Sequence, residues 1–268
     1  GRIPANTLDD AKSVIAKIKN YYQEESFGNW RNVVTFIGDD GDYNTHMSQA
    51  ESLASSVNNT YPAFFADKIY FDAYNQLSTS GGEKYPDVTA AINNRVKQGT
   101  LVMNYTGHAN EKSLADEGVL DIGIINSWSN YNRLPIFVTA TCEFSRFDAD
   151  LTSAGEAILF NAQGGGVGLF STTRLVYSGA NFVLNNKFFQ YIFEKDEQGN
   201  NLRLGDVMQK AKAAANTGTN QLNFTLLADP AMRLANPNYQ VKTTSIDGKD
   251  VETQVDTMRT LSVVTVKG

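Results

Sequence analysis

The sequence is poor in the residues that most often hold metals or form disulfides. It has one cysteine, Cys142, and two histidines, His46 and His108. A single cysteine excludes an internal disulfide. One cysteine and two histidines, dispersed along 268 residues, form no cluster with zinc-ligand spacing. The sequence therefore predicts no metal site in the chemistry of this protein and no required cofactor.

Clusters of basic residues and long apolar runs are also missing. The net charge is −6 at pH 7 and lysine and arginine are scattered, which argues against nucleic acid or an anionic membrane as the main partner. No apolar run approaches the roughly 18 residues of a membrane span. The length suits one large α/β domain, or one domain and part of another. Because there is no start methionine and no signal-peptide pattern, we expect Gly1 to follow a cut point within a longer polypeptide.

Two strongly apolar segments each end close to a reactive side chain. Residues 101–106 precede His108, and residues 136–141 precede Cys142. Both are rich in strand-forming residues and apolar on both faces, which is typical of central parallel strands. The two reactive residues are 142 − 108 = 34 positions apart, about the length of one strand, crossover helix and strand. The spacing predicts that both side chains lie at the same edge of one sheet, where open α/β sheets bind ligands.

A thiol and an imidazole at one sheet edge can form a nucleophilic pair. The imidazole stabilises the thiolate and later supplies a proton to the leaving group. Taken singly, Cys142 could equally be a small buried apolar residue and His108 a hydrogen-bonded structural group. Their shared position after neighbouring strands favours the pair.

Helices and strands alternate through most of the chain. Helical periodicity and capping signals predict helices over residues 7–22, 46–58, 86–98, 153–163, 181–193 and 204–215. Further strands are predicted over residues 32–38, 67–72, 165–172 and 222–230. From residue 237 the pattern changes, and residues 239–247 and 257–268 alternate like antiparallel strands around Asp247-Gly248. We interpret 1–236 as one α/β unit and 237–268 as a linker and the first strands of a β-sandwich.

Acidic residues follow two of the predicted strands. Asp72 ends the strand at residues 67–72, and we choose it to orient His108, with a simple turn-initiating aspartate as the alternative. The acidic turn after residues 32–38 holds Asp39, Asp40 and Asp42, which could line a cleft, bind a cation or only face solvent. His46 lies among polar residues at a helix start and is interpreted as a surface or capping group.

Several segments together resemble a known family. They are GRIPANTLDDA at the start, NYTGHAN around His108, LPIFVTATCEFSRFD around Cys142, SAGEAIL, LFSTTRLVYSGAN and FTLLADPAMRL. They resemble the gingipain-like cysteine peptidases, and TATCEFSRFD with STTRLVYS is similar to the surface sortase of the type IX secretion system. The resemblance implies a caspase-like, mostly parallel α/β sheet flanked by helices, followed by the start of an all-β immunoglobulin-like domain.

The resemblance also implies roles for individual residues. Cys142 would be the nucleophile, His108 the general acid and base, and Asp72 the acidic partner of the histidine. Backbone amides at Gly107, Ala109 and Cys142 would form the oxyanion hole. The family commonly has glycine where this chain has Ala109, and a requirement for positive φ there would put the oxyanion hole in doubt.

A specificity pocket is expected between the loop after Cys142 and residues 171–177. Arg174 could pair with a substrate carboxylate or form a structural ion pair with Asp148 or Glu143. Glu143 is either a pocket wall or a solvated neighbour. The substrate-facing residues implied are Glu143, Ser171, Thr172, Thr173 and Arg174.

The implied function is a cysteine endopeptidase that acts through an acyl-enzyme, resolved by water or by an amine as in a sortase-type transpeptidase. By resemblance it would be a secretion-linked signal peptidase that removes C-terminal targeting domains, exported to the bacterial cell surface, outer membrane or exterior. Its partners would be protein or peptide substrates and other secretion components, and a structural Ca²⁺ is compatible with it. The alternative is an inactive caspase-like assembly module of a secretion machine. A nucleotide-binding fold is disfavoured because no glycine-rich turn follows a strand and opens a helix.

Overall fold

The fold is known from a computed structural model that describes residues 1–237, 241–254 and 257–268. These residues divide into two compact units, Gly1–Asn236 and Pro237–Gly268, which we describe separately. No helix in the described part of the chain has the length and apolar character needed to cross a membrane.

A six-stranded sheet forms the centre of the first unit. Its strands are β1 (Val33–Gly38), β2 (Phe65–Tyr70), β5 (Val102–Thr106), β8 (Ile136–Ala140), β9 (Gly168–Thr172) and β10 (Phe224–Leu227). Two separate two-stranded ribbons are formed by β3 (Leu77–Thr79) with β4 (Gly82–Lys84), and by β6 (Ser113–Leu114) with β7 (Leu120–Asp121). The order across the main sheet is β10-β9-β8-β5-β1-β2. All neighbours are parallel except β10, which runs antiparallel to β9. The predicted mostly parallel sheet is confirmed.

Helices cover both faces of this sheet. They are α1 (Leu8–Tyr21), α2 (Gly41–Thr60), α3 (Pro86–Gln98), α4 (Ile122–Ser127), α5 (Ala154–Phe160), α6 (Ser178–Ile192), α7 (Leu204–Ala215) and α8 (Thr219–Leu222). One apolar core packs α2, α6 and α7 against the sheet, and a second core on the other face packs α1, α3, α4 and α5. Neighbouring strand residues alternate between the two cores, as Val138 and Phe137 do, because successive side chains point to opposite faces.

The two central strands explain why the apolar patterns were so clear. Every residue of β5 and of β8 is buried. They pair in register with Thr106 opposite Ala140. The predicted strands over residues 101–106 and 136–141 therefore lie side by side and end at the same level.

Three consecutive residues at the start of α2 depart from helical geometry. Asp42, Tyr43 and Asn44 have φ values of 53°, 55° and 63°, in the left-handed region. Side chains with a Cβ are disfavoured there, at roughly 1–2 kcal/mol per residue. This tight left-handed turn joins the end of β1 to the right-handed part of α2, which agrees with the helix predicted over residues 46–58.

A buried lysine links α1 to the end of α5. Lys17 is 1% exposed, and its Nζ donates to the carbonyl oxygens of Ile158, Leu159 and Asn161 at 3.1, 2.9 and 3.2 Å. These carbonyls end a helix, where the last C=O groups have no partner within the helix. Burial lowers the pKa of Lys17 to about 7.

The second unit contains a small antiparallel sheet of β11 (Ser245–Ile246), β12 (Lys249–Asp250) and β13 (Val266–Lys267). Asp247 and Gly248 both have positive φ between β11 and β12, as a two-residue hairpin turn requires. Within the described residues 241–247 and 257–268, the strands cover residues 245–246 and 266–267, which is shorter than predicted there. Residues 239 and 240 lie outside the described part of the chain.

Lys17 makes the unfolding free energy depend on pH in a predictable direction. Since its pKa is about 7 when folded and 10.5 as a free side chain, the unfolded chain binds more protons between these values. The destabilisation caused by burying the charge is full below pH 7 and fades as the pH rises. We expect the wild type to gain about 2 kcal/mol relative to Lys17→Met between pH 7 and 9. Urea unfolding followed by tryptophan fluorescence measures this, because Trp30 and Trp128 both lie in the first unit.

The exposed Lys19 on the same helix provides the matched control, Lys19→Met. The difference in the free energy of unfolding between Lys19→Met and the wild type should stay constant over this pH range. A constant difference for Lys17→Met as well would show that the three carbonyl acceptors hold the amine fully protonated, contrary to the expectation.

Glycine should relieve the strain of the left-handed turn. Tyr43 is fully exposed and loses no packing when it is replaced. Tyr43→Gly should therefore raise the free energy of unfolding by about 0.5–1 kcal/mol. The control is Ser52→Gly, at an exposed position in the right-handed part of α2, which should lower it by a similar amount. A loss of stability in Tyr43→Gly would show that the turn is unstrained.

Candidate active site

Cys142 and His108 lie at the carboxyl ends of neighbouring strands. Each is two residues beyond a member of the register pair Thr106 and Ala140. Adjacent parallel strands are about 4.8 Å apart, so the two residues leave the sheet side by side. Cys142 is half-buried and the His108 side chain is 45% exposed. The sulfhydryl donates to the carbonyl oxygen of Val176 at 3.6 Å, and no hydrogen bond among the described residues joins it to His108.

The carboxylate that contacts His108 belongs to Asp42. Asp42 Oδ2 lies 3.2 Å from His108 Nε2, close enough to orient the ring. Asp72, which we expected in this place, lies in a short turn after β2. Since β2 is the edge strand and β1 separates it from β5, Asp72 is one strand too far from the histidine. The acidic turn after β1 supplies the carboxylate instead.

A buried aspartate holds the His108 backbone in place. Asp39 is 3% exposed and its Oδ2 accepts from the His108 backbone N–H at 2.9 Å, while its Oδ1 accepts from Gly41 N–H at 2.9 Å. The Tyr105 hydroxyl donates to the His108 carbonyl at 2.7 Å. Burial, and next the charge of Asp39, raise the pKa of Tyr105, so this hydroxyl keeps its proton. Asp39 thus ties the turn after β1 to the turn after β5.

The three acidic residues of this turn have different roles. Asp39 is the buried clamp, Asp40 accepts from the Tyr85 hydroxyl at 2.6 Å, and Asp42 faces the imidazole. The sequence left open whether these residues line a cleft, bind a cation or only face solvent. The position of Asp42 fits a residue that lines a cleft, whereas Asp39 is buried and does not face solvent. Sequence alone could not separate them, because their roles follow from the left-handed turn.

His46 is buried in this site rather than placed on the surface, which corrects the sequence interpretation. It is 5% exposed, and its ring lies 5.0 Å from the His108 ring at 87°. His46 Nε2 is 3.3 Å from Asp42 Oδ2, so one carboxylate lies between two imidazoles. Burial, followed by the charge of His108, lowers the pKa of His46. The spacing of four residues between Asp42 and His46 was the one available signal for this pair.

The oxyanion hole expected at Gly107, Ala109 and Cys142 stays a prediction, and the backbone conformation there is compatible with it. Ala109 has a negative φ, so alanine is accommodated without strain at the position where the family commonly has glycine. Neither the Ala109 amide nor the Cys142 amide donates in the hydrogen bonds of the described residues. Gly107 is needed for space, because a Cβ there would lie 2.4 Å from Asp39 Cβ and 2.5 Å from the Tyr105 hydroxyl.

Two of the expected substrate-facing residues are internal. Ser171 is fully buried, where its hydroxyl meets those of Thr139 and Ser145 at 2.5 and 2.7 Å. Thr172 is also buried and donates to the carbonyl of Thr141. Both are the last residues of β9, so they lie within the sheet and not in the loop that follows it. They support the loop after Cys142 and do not contact its surface.

The remaining pocket residues lie on the exposed side of the site. Arg174 makes two hydrogen bonds with Asp148, at 2.9 and 2.5 Å, so the structural ion pair named as its alternative is present. Thr173 is half-buried and donates to the Asn223 carbonyl at 3.2 Å. Glu143 is half-buried with φ of 50° and lies 3.5 Å from Arg146, as a wall of the loop.

Apolar side chains extend this wall next to the thiol. Leu175 and Tyr177 are 69% and 82% exposed on either side of Val176, whose carbonyl accepts from Cys142. A groove of about 700 Å³ lies at the amino ends of the strands, and its lining includes Trp30, Trp128 and Arg133. It is therefore at the opposite edge of the sheet from Cys142 and does not serve the thiol.

Comparison with solved structures supports this fold. The chain is similar to the crystal structure of the Arg-specific cysteine proteinase gingipain R (RgpB), with 18% identity and a TM-score of 0.67 over 86% of this chain and 54% of that one. A complex of the Porphyromonas gingivalis RgpB pro- and mature domains matches with 16% identity, a TM-score of 0.67, and coverage of 86% and 55%. A structure described only as a protease matches with 15% identity, a TM-score of 0.65, and coverage of 86% and 54%.

The chain thus spans about half the length of these solved chains. Among curated proteins, none matches it. The sequence pattern of peptidase family C25 matches residues 1–235, which include both strand ends, the acidic turn and the whole six-stranded sheet. The chain therefore belongs to peptidase family C25, the gingipain family of cysteine peptidases.

Proposed function

We propose that this protein is a cysteine endopeptidase in which Cys142 is the nucleophile and His108 the general acid and base. The observation that carries the proposal is the shared level of the two residues on neighbouring strands, with Asp42 at the imidazole. A His-bound carboxylate fixes the ring orientation and stabilises the imidazolium that forms during the reaction. Asp42 has this role, in place of the Asp72 that the sequence suggested.

The reaction divides into two proton transfers. The Cys142 thiolate attacks the carbonyl carbon of a peptide, and the Ala109 and Cys142 amides donate to the resulting oxyanion. His108 then protonates the leaving amine, the C–N bond breaks, and a thioester remains on Cys142. A water molecule loses a proton to His108 and attacks the thioester, which releases the acid and restores the thiolate and the imidazolium. If an amine attacks in place of water, the product is a new amide.

The site gives some indication of the substrate. Leu175 and Tyr177 present exposed apolar surface beside the thiol, whereas the Arg174 guanidinium is already paired with Asp148. An apolar side chain next to the cleaved bond fits this wall better than a carboxylate would. A substrate carboxylate could bind Arg174 only by displacing Asp148. Because both side chains are about half exposed, water would weaken the new ion pair as much as it weakens the existing one.

The finer proposal is a secretion-linked signal peptidase or sortase that removes C-terminal targeting domains of exported proteins at the bacterial surface. It is supported by the TATCEFSRFD and STTRLVYS segments around the thiol and the apolar wall, which resemble the sortase branch of the family. Other secretion components would then be partners. The rival proposal, an inactive assembly module, is favoured by one observation: the thiol donates to Val176 and not to His108.

The single cysteine allows the pair to be tested without knowing the substrate. We expect iodoacetamide to alkylate the chain at pH 6 at least about tenfold faster than it alkylates the His108→Ala variant, since an adjacent imidazolium holds the thiolate. Mass spectrometry of the intact chain measures the rate. In urea the two proteins should react equally, which controls for the reagent. Equal rates in the folded state would favour the assembly module.

The assignment of Asp42 is tested by the same assay. Asp42→Asn should slow alkylation at pH 6 by at least about tenfold, because the amide no longer stabilises the imidazolium. The matched control is Asp72→Asn, which changes an exposed carboxylate at the neighbouring strand end and should leave the rate within about twofold. The reverse result would restore Asp72 as the partner of His108.

A further inference from the structure

We propose that Asp42, His46 and His108 form a binding site for Zn²⁺, and that the bound ion reversibly blocks the peptidase by occupying its catalytic imidazole. The existence of the site rests on the geometry of these three residues. Its regulatory consequence rests on the proposed function.

The three side chains are already spaced as metal ligands. Their ligand atoms all lie within 4.8 Å of one another. Asp42 Oδ2 is 3.3 Å from His46 Nε2 and 3.2 Å from His108 Nε2. Zinc bonds of about 2.0–2.1 Å in a tetrahedron place neighbouring ligands roughly 3.3 Å apart. Two edges of the tetrahedron are therefore formed, and a small movement of the exposed His108 ring completes the third.

His46 provides an independent indication of a ligand. Its side chain is 94% buried, yet neither ring nitrogen has a hydrogen-bond partner within the described part of the chain. The Asp42 carboxylate is near enough to attract it, but is not aligned to accept a hydrogen bond. Buried polar groups in proteins are nearly always satisfied, so an imidazole in this condition suggests a missing partner. A cation between Asp42 and the two rings would be that partner.

The donor set selects the kind of metal. Two imidazoles and one carboxylate are typical ligands of Zn²⁺, whereas Ca²⁺ and Mg²⁺ prefer oxygen donors throughout. The side chains of Asp42 and His108 are 59% and 45% exposed, which leaves an entry path and a fourth position for water. The sequence spacing argued against zinc, because the three ligands come from two separate strand ends and form no local cluster in the sequence.

The surrounding structure holds the ligands in place. Asp39 fixes both the His108 backbone and the Gly41 amide, and so sets the distance between the two turns. A Cβ at Gly41 would lie 3.1 Å from His108 Cδ2, so glycine lets the turn lie close against the imidazole without displacing the ring. Supporting contacts of this kind orient metal ligands and contribute to affinity.

The bound ion would stop proton transfer at one atom. With Zn²⁺ on His108 Nε2, the other ring nitrogen, Nδ1, holds the one remaining ring proton, so the imidazole can neither accept a proton from Cys142 nor become the imidazolium that protonates a leaving amine. No covalent bond in the protein changes, so removal of the ion with a chelator restores the free imidazole. The zinc-bound protein would therefore be a resting form of the enzyme, and a fall in the local concentration of free zinc would activate it.

Equilibrium dialysis of the chain against Zn²⁺, after treatment with a chelator, tests the site without any assay of activity. We expect one ion per chain, with an affinity at least about tenfold weaker in His46→Ala and in Asp42→Ala. Asp42 is exposed, so its variant should keep the fold, and circular dichroism checks both variants. The controls Cys142→Ala and Asp72→Ala should bind as the wild type does. Equal affinities throughout would overturn the site.

Co²⁺ as a probe separates this site from binding at the thiol. The Asp and two His ligands should give visible cobalt bands without a thiolate charge-transfer band, and Cys142→Ala should give the same spectrum. A thiolate band that disappears in Cys142→Ala would place the ion on the cysteine and overturn the ligand set.

The regulatory consequence has its own readout. Zn²⁺ should slow alkylation of wild-type Cys142 to the rate of His108→Ala, and should have no such effect in His46→Ala. Zinc that binds without slowing alkylation would overturn the block but not the site. If alkylation never depends on His108, the peptidase proposal fails, while the dialysis result still decides the metal site.

Discussion

The buried carboxylate of Asp39 is the interaction on which the site depends. It joins two loops that leave different strands, since it accepts from the backbone of His108 after β5 and from Gly41 after β1. A charged group at 3% exposure is unfavourable unless its oxygens are occupied, and here both are. The geometry of the histidine is thus determined by a backbone contact, which is more rigid than one made through a flexible side chain. Asp42 and His46 follow Asp39 in the same turn and take their positions from it.

Much of this architecture could be predicted from local patterns. The helix over residues 86–98 begins at a proline and ends before a glycine with φ of 93°, and both signals are visible in the sequence. The strands before His108 and Cys142 are continuous apolar runs because helices cover both of their faces. A separation of one strand, helix and strand then placed the two residues at one sheet edge, and the register of β5 with β8 agrees.

The order of strands could not be predicted in the same way. Asp72 and Asp42 both follow strands, and nothing local indicates that β1 lies between β2 and β5. Similarly, Ser171 and Thr172 looked accessible because polar residues at a strand end usually face solvent, yet a hydroxyl network within the sheet occupies them. His46 was misplaced because three left-handed residues precede it, and Tyr43 at the centre of the three is not a residue type that favours that conformation. These errors all come from long-range packing.

Gly107 divides the site into a part that resists change and a part that tolerates it. Because no side chain fits between Asp39 and Tyr105, any alteration of the backbone before the histidine requires several simultaneous substitutions. The wall beside the thiol has no comparable restraint, since Arg174, Leu175 and Tyr177 are exposed and can each be exchanged singly. Single substitutions in this wall can thus change the surface beside the thiol while the backbone that positions His108 stays as it is. The same asymmetry suggests which half of the cleft an engineer should randomise.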